Sequence, residues 1–153
     1  MERTLIILKP DCMQRRMAGE VLSRLEKRGF KIVACKMVRM GAKMCDEHYA
    51  HIKDRPFFPR IQEFMTSAPV IVMVLEGKEI VKLVRDMLGA TNARNAAVGT
   101  IRGDLALSNM MNLVHASDSV ETAQKEIARF FKKDELYEWK EKLMQCTYGS
   151  DEI

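Results

Sequence analysis

An α+β fold with a four-stranded antiparallel sheet is predicted by three observations. Three apolar, strand-like runs begin near residues 4, 31 and 70, and a fourth short one falls at Leu113-Val114. Amphipathic helical patterns follow the first, third and fourth of them. Without the additional short helices in the connections, the order is β-α-β-β-α-β, the split βαβ arrangement. That order predicts helices packed on one face of the sheet, in a single domain over residues 1–153.

The elements are justified in chain order. Thr4 to Leu8 reads T-L-I-I-L, a continuous apolar run like a central strand, and Lys9-Pro10-Asp11 ends it because proline cannot continue a ladder. Ala18, Val21, Leu22 and Leu25 recur at helical spacing, with Gly29 as the expected residue just past the helix end. Lys31 to Arg39 is the second strand. Lys43 to His51 and Arg60 to Met65 read as two short helices, with Asp54-Arg55-Pro56 between them. Pro69 precedes a third strand, Val70 to Leu75, which Glu76-Gly77 terminates. Ile80, Val81, Val84, Met87 and Leu88 mark an amphipathic helix stopped by Gly89. Residues 90–112 show little period, and a loop of that length in a compact domain is usually functional. Leu113 and Val114 form the fourth strand. Ser119 then opens a helix with Val120, Ala123, Ile127 and Phe131 on one face, and a last helix is expected from about Asp134 to Leu143. The whole is a ferredoxin-like arrangement with extra helices.

Composition excludes several classes. Apolar residues make up 47% and charged residues 30%, an ordinary globular balance. The net charge of +4 permits an anionic ligand, but Lys and Arg are scattered among acids, which argues against nucleic-acid binding as the main role. Cys12, Cys35, Cys45 and Cys146 form no C-x-x-C pair and read as free thiols in a reducing, cytoplasmic setting. The N-terminus lacks a signal-type apolar region, and no stretch is long enough to span a membrane. The twelve methionines read as flexible core filler.

Neither a G-x-x-x-x-G-K-[ST] loop nor a G-x-G-x-x-G turn is present. The chemistry-bearing residues are instead cations and hydroxyls near element ends. His115 follows the last strand and precedes a helix start, where backbone N–H groups attract anions. Such a histidine is suited to covalent phosphate chemistry, though on spacing alone a hydrogen-bonded core histidine is an equal reading. Glu126 falls on the border of the face formed by Ala123, Ile127 and Phe130, where a partly buried acid needs a partner. Asn112 and Ser117 flank His115 closely. Lys9 ends a strand and points toward whatever the strand ends surround. Arg85 and Arg102 suit bidentate phosphate binding, or act as a helix-end cation and a salt-bridge partner of Asp104. Thr91-Asn92 offers a hydroxyl and an amide, or forms a turn. Tyr49 orients the imidazole or packs. Of Phe57 and Phe58, both are core or one is exposed as a stacking platform for a base.

Taken together these segments resemble the nucleoside diphosphate kinase family. The matching stretches are Lys9-Pro10-Asp11, Gly19-Glu20, Glu47-His48-Tyr49 and Lys53-Asp54-Arg55-Pro56-Phe57-Phe58. They continue through Met87-Leu88-Gly89, Thr91-Asn92, Gly99 to Asp104 (G-T-I-R-G-D) and Asn112-x-x-His115-x-Ser117-Asp118-Ser119. The likeness runs from residue 2 to about residue 131. It implies an enzyme, a phosphotransferase moving the γ-phosphate of ATP or another nucleoside triphosphate to nucleoside diphosphates. The route is ping-pong through a phosphohistidine at His115, and it maintains triphosphate pools for nucleic-acid synthesis. Carried over by position, Glu126 holds the distal ring nitrogen, Ser117 bonds that glutamate, and Tyr49 lies against the imidazole. Phe57 stacks on the base, Lys9 and Asn112 hold the sugar 3′-hydroxyl region with Lys9 also on the transferred phosphate, and Arg85, Thr91 and Arg102 bind the β-phosphate region. No metal is held by protein side chains, and Mg²⁺ comes in on the nucleotide phosphates, as hard oxygen ligands suit it. The family forms homo-oligomers. The chain beyond the Glu126 helix, through Trp139 to Ile153, favours a hexamer over a tetramer. The alternative reading is a catalytically weakened relative that binds nucleotide or a partner. Ala116 stands where the family usually has glycine. A left-handed backbone there costs alanine about 1–2 kcal/mol. Met110 and Met111 replace a commoner stretch with glycine and arginine and are expected to shape the pocket floor.

Overall fold

The computed structural model describes residues 1–142 and 146–152. Its sheet consists of β1 (Glu2–Leu8), β2 (Lys31–Val38), β3 (Val70–Gly77) and β4 (Val114–Ala116) in the spatial order β2-β3-β1-β4. Every neighbouring pair is antiparallel. The helices are α1 (Pro10–Gln14), α2 (Ala18–Lys27), α3 (Ala42–His48), α4 (Phe58–Thr66), α5 (Ile80–Leu88), α6 (Ile101–Leu105) and α7 (Val120–Phe130).

Successive side chains of a strand point to opposite faces. In β1, Ile6 and Leu8 point to one face and pack with Val21 and Leu25 of α2 and Val84 and Leu88 of α5. Leu5 and Ile7 point to the other and pack with Cys45 of α3, Met65 of α4, and Ile127 and Phe130 of α7. Helices therefore cover both faces, not one as expected. The cause lies in the strands: the central parts of β1 and β3 are apolar at consecutive positions, so both faces must be taken out of water. Each fully buried Leu or Ile contributes about 1.5–3 kcal/mol.

Several boundaries differ from the sequence expectation. β3 runs through Glu76 and Gly77, because the Glu76 carboxylate accepts from Arg3 (2.8 Å) and Lys31 (2.9 Å) on the neighbouring strands. Pro10 opens α1, where its missing N–H costs nothing. The stretch 90–112 holds a 3₁₀ turn (Ala93–Asn95) and α6, whose first turn is capped by the Thr100 hydroxyl accepting from Gly103 N (3.1 Å). β4 starts one residue later than expected and includes His115, while Leu113 takes a left-handed φ of 71°. The expected last helix is replaced by a 3₁₀ turn (Lys133–Glu135) followed by irregular chain to residue 142. That segment satisfies its polar groups on the free edge of β2 instead. Tyr137 N donates to Val33 O (2.9 Å) and Trp139 Nε1 to Ile32 O (3.1 Å). Leu143, at the expected helix end, lies outside the described residues. No helix among the described residues is long and apolar enough to cross a membrane. All four cysteines are free.

Candidate active site

The register of β4 against β1 sets the site. His115 pairs with Ile7, so the imidazole projects from the face that α7 covers. Ser117, two residues on, shares that face. Its backbone N donates to Leu5 O (3.2 Å), and its hydroxyl accepts from Leu5 N (3.1 Å). Ser119 stands just before α7, and its hydroxyl caps the helix by accepting from Thr122 N (3.0 Å). Two turns in, Glu126 meets both residues. Ser117 Oγ donates to its Oε2 (2.6 Å), and His115 Nε2 lies 3.0 and 3.1 Å from its two carboxylate oxygens. Burial works to raise the pKa of this carboxyl, but the bonds from His115 and Ser117 outweigh burial and hold it below the ordinary carboxylate range. An ionised Glu126 accepts, so the proton of a neutral His115 sits on Nε2 and its lone pair on Nδ1. The His115 side chain is 23% exposed and lines a cleft of about 1280 Å³.

Lys9 enters the same cleft from the end of β1. Its ammonium donates to Met110 O (2.7 Å) and Asn112 Oδ1 (2.8 Å), and burial lowers its pKa to about 8. Asn112 is itself buried, and its amide donates to Thr91 O and Asn109 O (2.8 Å each). It thus ties the end of β1 to both ends of the long loop. The backbone bend that allows this falls on Leu113, whose N donates to Asp11 Oδ2 (3.0 Å) and whose carbonyl accepts from Lys9 N (2.9 Å).

Arg102 is buried by the loop and donates to Gly89 O (2.9 Å), Asn112 O (3.3 Å) and Val114 O (2.5 Å). Burial, with a smaller contribution from neighbouring Arg85, lowers its pKa to about 10. The salt bridge to Asp104 considered from sequence does not form: Asp104 pairs with Arg24 (2.6 Å). Three bonds leave Arg102 two further N–H donors and its charge. Arg85 and Thr91 are exposed on the cleft wall. Of the two phenylalanines, Phe57 is 49% exposed at the cleft mouth and Phe58 is core.

Ala116 is an extended strand residue paired with Ile6, so it carries none of the left-handed strain considered for it. The strain lies at Leu113. Met110 lines the cleft and lends its carbonyl to Lys9, whereas Met111 is half exposed.

Sequence reading missed one residue at the centre. The ring in edge contact with His115 is His48, with centroids 4.6 Å apart, and Tyr49 packs edge-on against His48 at 4.8 Å. Burial pushes the Tyr49 hydroxyl well above its ordinary pKa. The available signal was its place in the stretch Glu47-His48-Tyr49, where α3 ends. Among the described residues, the grouped metal-ligand types are His48, His115 and Glu126, their donor atoms within 4.8 Å of one another. Two imidazoles and one carboxylate do not suit Mg²⁺, which demands oxygen donors, and both carboxylate oxygens already accept from His115 or Ser117.

Comparison with known proteins identifies the family. The family model described as nucleoside diphosphate kinase matches residues 2–136. The chain is 50% identical over 152 residues to the nucleoside diphosphate kinase of Rhodopirellula baltica, covering 99% of this chain and 100% of that one. It is 54% identical over 136 residues to that of Methanospirillum hungatei, covering 89% and 91%. Among solved structures, the Halobacterium salinarum nucleoside diphosphate kinase in complex with CDP superposes with a TM-score of 0.94 at 42% identity, covering 96% of this chain and 98% of that one. The cleft is thus set in a chain similar over almost its whole length to these kinases, and the protein belongs to the nucleoside diphosphate kinase family.

Proposed function

We propose that this protein transfers the γ-phosphate of nucleoside triphosphates such as ATP to nucleoside diphosphates, with His115 as the carrier. The observation that supports this most is the Glu126–His115 contact, which leaves Nδ1 as the nitrogen with a free lone pair in the cleft. In the first half-reaction that lone pair attacks the γ-phosphorus, the bond to the β–γ bridging oxygen breaks, and the diphosphate leaves. In the second, a terminal β-phosphate oxygen of the acceptor attacks the phosphorus, the N–P bond breaks, and neutral His115 is restored.

Phosphoryl transfer demands positioning and charge neutralisation more than covalent effort from the protein. Lys9 supplies charge to the transferred phosphate and, with Asn112, holds the sugar 3′-hydroxyl region. Arg85, Thr91 and Arg102 hold the β-phosphate region. Glu126 fixes the tautomer and offsets positive charge on the ring as the N–P bond forms, and Ser117 fixes Glu126. Tyr49 packs edge-on against His48, which in turn meets His115. Phe57 offers the base a face without a base-specific hydrogen bond, which accounts for broad nucleotide use. Mg²⁺ would enter bound to the nucleotide phosphates, with no protein side chain required as ligand, and would supply charge neutralisation there. The protein works as a cytoplasmic homo-oligomer, a hexamer in preference to a tetramer. A role centred on nucleic acid is disfavoured by its scattered basic residues.

The test is incubation with γ-labelled ATP. Acid-labile, base-stable label on the protein, chased onto an added diphosphate and absent from His115→Ala, is the expected result. Turnover retained by His115→Ala removes the covalent role. Glu126→Ala is expected to slow labelling more than it weakens nucleotide binding.

A further inference from the structure

His48 is the buried titratable group that this mechanism leaves unused. Its side chain is wholly buried between α3, β4 and α7. Arg129 Nη1 lies 3.2 Å from its Nδ1, and an arginine can only donate. Nδ1 therefore accepts, and the ring proton sits on Nε2. That nitrogen finds no hydrogen-bond partner among the described residues and lies 3.7 Å from Glu126 Oε1, outside hydrogen-bonding distance but near enough for its N–H dipole to act on the carboxylate. The ring edge packs on His115 at one side and on Phe130 at another. The charged or titratable groups facing it are His115, Glu126, Arg129 and His51, with Tyr49 beside it.

We propose that His48 is a positioning residue for the phosphoryl carrier: locked by Arg129 in the Nε2–H tautomer, it fixes the His115 ring plane and directs a dipole at Glu126. This rests on His115 being the carrier. The arrangement has a physical rationale. His115 is bound by a single hydrogen-bonded side, through Nε2, and a ring so held still rotates about that contact. An edge-on neighbour removes the rotation and keeps Nδ1 in line with the phosphorus. A charged His48 would draw Glu126 away from His115, and burial guards against this by lowering the His48 pKa to about 3. The lock also keeps the His48–His115–Glu126 cluster from acting as a metal site, since a metal would need the Nε2 lone pair and so the other tautomer.

Single-turnover labelling by γ-labelled ATP tests this with His48→Phe, His48→Gln and Arg129→Met, beside thermal unfolding of each. His48→Phe and Arg129→Met are expected to slow His115 labelling about tenfold, the size of one lost buried hydrogen bond, with KM for ATP unchanged. His48→Gln, which returns a donor near the Nε2 position, is expected to recover part of the rate. Arg129→Met leaves His48 in place and needs no core repacking, so it keeps the test valid where His48→Phe does not fold. In ¹⁵N spectra the wild-type His48 Nδ1 is expected to be unprotonated, and Arg129→Met to give a tautomer mixture. Labelling rates within twofold of wild type in Arg129→Met and in the folded His48 variants overturn the proposal, as does a rate loss matched by an equal rise in KM. A wild-type protein that takes no label at all overturns the carrier reading itself, a distinguishable result.

Discussion

The Ser117 hydroxyl donates to Glu126 Oε2 over 2.6 Å while accepting from Leu5 N over 3.1 Å. One buried oxygen thus joins a central strand to the carboxylate that holds His115. Removing it leaves the buried Leu5 N–H without its side-chain partner and the Glu126 carboxylate held by His115 alone. Ser117→Ala is expected to cost about 1–3 kcal/mol of stability, read by urea unfolding, and to slow labelling of His115 as well. A variant with wild-type stability would mean that water replaces the hydroxyl and that Ser117 does not hold Glu126.

Lys9 sets the alkaline limit. Burial lowers its pKa to about 8, so in the free enzyme it is charged below that pH and loses its charge above it. A bound phosphate stabilises the charged form. kcat/KM is therefore expected to fall above about pH 8 while kcat stays flat to higher pH, because the former reports the free enzyme and the latter the complex. Lys9→Met should flatten the alkaline limb and lower kcat/KM roughly 10- to 100-fold, the size of a lost charge-assisted bond. An unchanged limb in Lys9→Met would assign it to another group.

His48 sets a stability limit on the acid side. Its folded pKa, about 3, lies below the ordinary value of 6.5 that it regains on unfolding. As pH falls below 6.5 the unfolded chain takes up a proton that the folded one refuses, so stability is full above that pH and declines toward about 3. Between about pH 7 and pH 5 the loss is roughly 2 kcal/mol, or about 4–8 °C in Tm. Glu126, whose folded pKa is also depressed, adds a loss in the same direction at lower pH. His48→Gln should have a shallower Tm profile over this range. Parallel profiles would show that His48 is not the titrating group.

Much of this was legible before any coordinates. The strands were marked by apolar runs, and His115, Glu126 and Ser117 stand within 11 residues of one another across a strand–helix junction, where periodicity put Glu126 at the border of a buried face and the family resemblance implied its pairing with His115 and Ser117. The coverage of both sheet faces was written in T-L-I-I-L, although the element order suggested otherwise. What sequence pattern cannot carry is contact between distant segments. Asp11 supports Leu113 from 102 residues away, and Arg129 reaches His48 from 81. Neither pair has a local signal, because nothing beside either partner in the chain marks the residue that register brings to it. The chain after Phe131 misled for the opposite reason. Its local helical pattern was overridden by the unpaired edge of β2.

Phe57 separates base stacking from base reading. A half-exposed ring gives every base the same apolar face. Phe57→Ala is expected to raise KM for purine and pyrimidine diphosphates alike, by about 1–3 kcal/mol of lost stacking, with kcat little changed. A KM that rises for one base alone would point to specific recognition elsewhere in the cleft mouth.

Ala116 offers the reverse of a repair. The glycine that the family resemblance leads one to expect at this position invites the substitution Ala116→Gly as a correction, yet the residue is extended, buried and paired with Ile6 in β4. No positive φ needs relieving there. Glycine would instead loosen a three-residue strand that carries His115 at its centre, and glycine in a strand interior costs about 0.5–1 kcal/mol relative to alanine. Ala116→Gly is therefore expected to lower Tm by about 1–4 °C and to leave the labelling rate of His115 equal or slightly reduced. A higher Tm would mean that the alanine methyl is crowded against its neighbours in the folded protein. A faster rate at unchanged Tm would place the limit on phosphorylation in the rigidity of β4.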